Sequence, residues 1–178
     1  MGFTGDFPTR PRQWTTLLRQ LPATMHSGKT IFLQDDPAIF ESRRYRLYDM
    51  IRDLSRAASD DVVIVTPYLI PVEGFIDKLR QAVARGVRVR VLTASLAAGD
   101  HSAVHAHYKG YRPELLDTGA ELYEFHHQPN AEVRALADSA PVQGKFVALH
   151  PKVAVIDGKT CFVGSLNLDP RALVINTE

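Results

Sequence analysis

The hydrophobic positions fall into short blocks whose period changes along the chain. From Glu41 the apolar residues Leu47, Met50, Ile51, Leu54 and Ala58 recur at i, i+3, i+4, i+7 and i+11, which predicts a helix over about 41–58 with one buried side. Val62 to Thr66 is a continuous β-branched run of the kind found in strands covered on both faces. Val72, Phe75, Ile76, Leu79 and Val83 return to helical spacing up to Gly86, well placed as a helix C-cap. Val87 to Leu92 then alternates like a strand, so a βαβ unit with a right-handed parallel crossover is expected. The order repeats with Val104, Tyr108, Tyr111, Leu115 and Leu116 over 101–118, one helix or two, and a strand over 120–125. After a polar loop from about 126 to 144, three short strands are predicted at 145–149, 153–156 and 160–163. Asp157-Gly158 between the last two is a hairpin signal. The fold class expected is α/β, a sandwich around a mixed sheet.

Outside this block, residues 1–30 carry Pro8, Pro11 and Pro22 and one apolar patch at Trp14, Leu17 and Leu18, and read as a linker or peripheral arm with at most a short helix. The core domain is placed at 31–178. At the far end, Arg171 to Glu178 is an apolar, β-favouring run without turn residues or a terminal helix, and it reads as cut in mid-element. The 178 residues suit one ordinary domain, and 45% hydrophobic with 23% charged content excludes disordered and fibrous classes. With 21 Lys plus Arg against 20 Asp plus Glu, bulk charge gives no basis for a strongly basic nucleic-acid-binding surface, so phosphate recognition must be local. Cys161 is the only cysteine and has no intrachain partner, which fits a reducing compartment. No apolar run approaches the roughly 18 to 20 residues that span a bilayer, and Met1 to Pro8 has no signal-peptide pattern.

The chemistry is concentrated between His150 and Asn167. If Lys152 and Val153 open a strand, His150 and Lys152 point to one face, because side chains two apart in a strand share a side. The hairpin brings the next strand back, carrying Gly164, Ser165 and Asn167 to the same end of the sheet. Gly164 permits close backbone approach there. One imidazole, one ammonium, a hydroxyl and an amide suit a phosphate diester, whose transition state needs charge stabilisation on non-bridging oxygens and a proton for the leaving oxygen.

The string His150-x-Lys152-x4-Asp157-x6-Gly164-Ser165-x-Asn167 resembles the HKD motif of the phospholipase D superfamily, complete at every position. Glu178 stands where this superfamily places a carboxylate that hydrogen-bonds the motif histidine. The resemblance makes Asp157 a supporting residue bonded near the hairpin. Leu92 to Asp100, Ala103 to Arg112, Gly119 to Glu124 and Asn167 to Arg171 are similar to the C-terminal half of bacterial cardiolipin synthases of the phospholipase D type. Ala94 and Gly99 depart from that pattern, where Asn and Thr are usual; both fall in the expected loop after a strand, where α/β proteins bind ligands. The implied fold is a phospholipase D-like α/β/α sandwich. The implied activity is phosphatidyl transfer between phospholipids, phosphatidylglycerol-like in type, through a phosphohistidine, with no metal or other cofactor.

Such enzymes join two motif-bearing halves, and this chain is read as holding one motif and no second His-x-Lys. Either a second half lies in the same parent chain or two copies pair, as in single-motif members of the superfamily. The alternatives are a homodimeric phosphodiesterase or nuclease and a catalytically silent lipid-binding half; near-neutral charge weighs against nucleic acid. His105 and Tyr108, one helical turn apart, are candidates for the substrate pocket. His126-His127 is expected to be a solvated loop and not a metal site. Arg43, Arg44 and Arg46 read as a solvated helix face that could meet anionic head groups, and Arg88 and Arg90 as facing solvent or an acidic partner. The expected location is peripheral, at the cytoplasmic side of a bacterial inner membrane.

Overall fold

The computed structural model describes residues 10–25, 27–34, 52–53, 56–137 and 146–174. It divides into two compact units, one formed by residues 1–32 with 128–147, the other by 33–127 with 148–178. The larger unit holds a five-stranded mixed sheet in the order β3-β2-β1-β4-β5. Its strands are β1 (Asp61–Val65), β2 (Arg88–Ala94), β3 (Glu121–Phe125), β4 (Val153–Ile156) and β5 (Thr160–Val163). The helices, in chain order, are α1 (Pro11–Thr24), α2 (Phe75–Ala84), α3 (Ser102–Asp117), α4 (Ala131–Ala137) and α5 (Pro170–Val174).

β1, β2 and β3 run parallel, joined through α2 and α3, as the repeated strand–helix order requires. Gly86 follows α2 with φ of 87°, a left-handed conformation that glycine adopts without Cβ penalty and that stops the helix. Every second residue of β1 and β2 is buried: Val62, Ile64, Val89 and Val91 pack with Leu79 and Ala82 of α2 and Leu115 of α3. The other face of β1 is half-buried, where the sequence predicted full cover. β4 lies antiparallel to β1, with Val153 opposite Val65, and β5 returns antiparallel to β4. The turn between them uses Asp157 and Gly158 at φ of 51° and 61°, the positive pair that a two-residue hairpin needs.

Four expectations change. Residues 146–149 form no strand, although Leu149 donates its N–H to the Ala98 carbonyl at 3.1 Å, a single tie between loops. The polar loop over 126–144 contains α4, whose start is capped by Asn130 Oδ1 accepting from the Val133 N–H at 2.9 Å. The arm contains the 14-residue helix α1, with Pro11 at its first position, where a missing N–H costs nothing. The tail is not wholly β-favouring: Asp169 Oδ1 accepts from the N–H groups of Arg171 and Ala172 and Pro170 starts α5, so local capping overrides strand propensity. Most of the predicted 41–58 helix and Arg43, Arg44 and Arg46 lie outside the described residues, although 52–53 and 56–57 are helical.

Candidate active site

His150 and Lys152 enter β4 at the sheet end where β1 finishes, because β4 opposes β1. Lys152 Nζ lies 2.9 Å from His150 Nε2 and donates to the His150 carbonyl at 2.9 Å. An ammonium can only donate, so Nε2 is the acceptor and the proton of the neutral ring sits on Nδ1. Lys152 is 8% exposed. Its charge is therefore held against the imidazole in a shielded place, where an anionic group gains most from it. The lysine also reaches the edge of an apolar cavity of about 100 Å³ bounded by Ile64, Thr66, Leu79 and Phe162.

Across the hairpin, the Gly164 N–H donates to the Lys152 carbonyl at 3.1 Å, which fixes the glycine beside the lysine. A Cβ on Gly164 would stand 2.7 Å from Cζ of Phe162, so the close approach expected of this glycine is to an aromatic ring. Gly164 and Ser165 form a bend after β5 and not part of a strand. Leu166 turns inward at 3% exposure, leaving Ser165 exposed and Asn167 half-buried. Asn167 Oδ1 is buried and has no hydrogen-bond partner among the described residues.

Asp157 lies at the other end of β4. Its carboxylate accepts from the N–H groups of Ser59, Asp60 and Asp61 at 2.9 to 3.3 Å and from the Ser59 hydroxyl at 3.1 Å. The backbone N–H groups of Asp61, Asp60 and Ser59 hold its carboxyl well below the usual carboxylate range. It staples the hairpin to the start of β1. Glu178 lies outside the described residues.

Sequence reasoning missed Tyr68, Asp100 and His101. The Tyr68 hydroxyl donates to Asp100 Oδ1 at 2.8 Å, and its ring meets His101 edge-on with centroids 5.7 Å apart. Burial and the bond to Asp100 push the Tyr68 hydroxyl up to about 12. For Asp100, burial acts to raise the carboxyl, but the Tyr68 hydroxyl, a backbone N–H and the positive potentials of His101 and His150 outweigh it and hold the group low. Asp100 is thus a carboxylate within the field of the motif histidine. The available signal was position, since Tyr68 and Asp100 follow the carboxyl ends of β1 and β2.

His105 and Tyr108 line a small crevice at those same strand ends. Tyr108 is 2% exposed and turns its hydroxyl to Glu124 Oε1 at 3.0 Å, away from the crevice, so its ring is wall and its polar end is structural. Ala94 closes β2 and does not lie in the loop beyond it, yet both Ala94 and Gly99 line this crevice. His126 and His127 pack as a tilted ring pair with centroids 4.7 Å apart, and the described residues hold no cluster that could ligate a metal. Arg88 and Arg90 pair with Glu121 at 2.6 Å and Asp61 at 2.8 Å on neighbouring strands. The expectation of no second His-x-Lys is corrected by His107-Tyr108-Lys109. It lies within α3, where residues two apart diverge, and no Gly-Ser-x-Asn follows it at motif spacing.

Comparison with known proteins agrees with this geometry. Residues 50–178 match the family model described as cardiolipin synthase, PLD-like domain. Cardiolipin synthase C of Escherichia coli is 39% identical over 155 residues, 85% of this chain and 32% of that protein. Cardiolipin synthase A of Pseudomonas aeruginosa is 35% identical over 126 residues, 71% of this chain and 21% of that protein. The chain thus spans about a third or less of these relatives. Among solved structures, Nuc from Salmonella typhimurium, a phospholipase D family member, aligns with TM-score 0.51 at 18% identity, over 73% of this chain and 70% of that one. Phosphatidylserine synthase from Haemophilus influenzae aligns with TM-score 0.52 at 17% identity, over 74% of this chain and 30% of that one. Fold, motif placement and sequence agree: this chain belongs to the cardiolipin synthase PLD-like domain family.

Proposed function

We propose that this chain supplies one half of a phosphatidyl-transfer site that works through a phosphohistidine, as the resemblance to cardiolipin synthases implies. The observation that carries the reading is the contact of Lys152 Nζ with His150 Nε2 at 2.9 Å, with Gly164 fastened beside the lysine. One histidine forms a bond from ring nitrogen to phosphorus as the bond from phosphorus to the leaving glycerol oxygen breaks. The histidine of a second motif gives that oxygen its proton. That same second histidine then takes the proton from the hydroxyl of a second lipid as the oxygen attacks phosphorus and frees the first histidine. Two phosphatidylglycerols thus give one cardiolipin and one glycerol. Lys152 stabilises the charge on the non-bridging oxygens, and Ser165 and Asn167 face the same phosphate. Glu178 orients His150, and the second motif comes from the same parent chain or another copy.

A bilayer surface is the place of work in this reading, at the cytoplasmic side of the inner membrane. Among the described residues no helix is long and apolar enough to cross a membrane. α1 supports surface contact instead: Trp14, Leu17, Leu18 and Leu21 form a stripe at i, i+3, i+4 and i+7, while Arg12 and Arg19 lie on the far side and no acid occupies the first turn.

The test expresses the natural reading frame that contains this chain and supplies phosphatidylglycerol vesicles, with lipid products and glycerol quantified and the quenched protein mapped for phosphohistidine. Cardiolipin and glycerol should form in equal amounts. His150→Ala should cost several orders of magnitude in rate and Lys152→Ala roughly 10². Phosphatidic acid in place of cardiolipin would identify water as the acceptor, and near-normal turnover in either variant would remove that residue from the mechanism.

A further inference from the structure

The crevice beside the motif contains two polar atoms that nothing satisfies. It opens at the carboxyl ends of β1 and β2, between Pro67, Tyr68, Ser95, Gly99, His101 and His105, and has a volume of about 10 Å³. Ser95 Oγ and His105 Nδ1 are both withdrawn from solvent and have no hydrogen-bond partner among the described residues. An unmade hydrogen bond of this kind costs about 1 to 3 kcal/mol per group, so two in one crevice mark a place built for a polar guest.

The dimensions and chemistry select the guest. A space of that size takes about one water-sized group, which excludes a phosphate or a ring. No carboxylate lines it, so an ammonium head group would find no countercharge. A hydroxyl fits both orphans, since it donates to an unprotonated ring nitrogen and accepts from the serine O–H. The Tyr68 ring forms one wall while its hydroxyl is committed to Asp100 at 2.8 Å. Because β4 runs antiparallel to β1, His150 and Lys152 stand at this same end of the sheet, so a guest here lies beside the motif.

We infer that this crevice is a hydroxyl-binding subsite, with Ser95 and His105 gripping one hydroxyl of a polyol head group whose phosphate lies at His150 and Lys152. The inference rests on the phosphatidyl-transfer reading and assigns its head-group specificity. Gly99 keeps the crevice open: a Cβ there would meet Ser95 O at 3.5 Å and Ala94 Cβ at 3.6 Å, ordinary contacts that the fold tolerates but that narrow the space.

The experiment is a histidine-ring NMR titration of the full chain with three probes: sn-glycerol 3-phosphate, n-propyl phosphate and inorganic phosphate. All three should move the His150 signals. Only sn-glycerol 3-phosphate should move those of His105, and it should bind about three- to tenfold more tightly than propyl phosphate, the range one to two hydrogen bonds supply. Ser95→Ala and Gly99→Ala, with unchanged unfolding midpoints, should each erase that preference and leave phosphate binding alone. Equal affinity for the glycerol and propyl compounds, or a silent His105 while His150 responds, would overturn the subsite and leave the transfer reading standing. Silence at both histidines would overturn both.

Discussion

Lys152 and Asp157 belong to one motif but act at opposite ends of β4, and their environments differ accordingly. Lys152 is buried against an imidazole with its charge facing the reaction site, whereas Asp157 spends its charge on three backbone N–H groups at the start of β1. The Asp157 carboxyl is depressed in the folded chain relative to its ordinary value near 4, so its contribution is complete above that value and fades as pH falls through the folded one. Asp157→Asn keeps the shape and tolerates the left-handed backbone, so it isolates the charge. Urea unfolding should show the variant less stable at pH 7, with the gap closing as pH is lowered below about 4. A gap independent of pH would mean that the carboxylate acts through shape alone. This role was visible in the sequence only by resemblance, because the partners of Asp157 lie 96 to 98 residues away.

At the scale of elements, the parallel βαβαβ run was legible because its strands and helices differ in period and its glycines sit at helix ends, as Gly86 does. The hairpin was legible because Asp157-Gly158 admits one kind of turn. Residues 146–149 misled because Phe146, Val147 and Leu149 have strand composition, yet with β4 and β2 already flanking β1 no neighbour is left for them to pair with. α4 was missed because its seven residues carry too few apolar positions for a period to show, and its Asn130 cap is a local signal that loops share. Tyr68 and Asp100 were invisible as a pair because two strands of the sheet, not sequence spacing, bring them together. The bend after β5 carries its own prediction. Gly164→Ala must displace the Phe162 ring, whose Cζ stands 2.7 Å from the new methyl position. An overpacking cost of about 1 to 3 kcal/mol is expected, read as a lower thermal midpoint. An unchanged midpoint would show that the ring yields freely and that Gly164 is there for the phosphate alone.

For the molecule as a whole, the near-neutral balance of +1 hides an uneven distribution, since Arg10, Arg12 and Arg19 lie within or next to an apolar-striped helix. Adsorption to lipid should therefore need both the stripe and the charge. In vesicle sedimentation the chain should bind phosphatidylglycerol-rich membranes better than phosphatidylcholine, with Leu18→Glu weakening binding several-fold and 0.5 M salt acting in the same direction. Leu18 is 57% exposed, so this change leaves the fold intact, and equal binding by the variant would remove α1 from the membrane contact. The staple at Asp157 reaches further than stability. Sliding β4 along β1 by one residue would turn every side chain of that strand to the opposite face, and the imidazole and ammonium would leave the reaction side together. Asp157 is therefore a registration pin: a residue remote from any phosphate that decides, by holding one alignment among several, whether a catalytic pair exists at all.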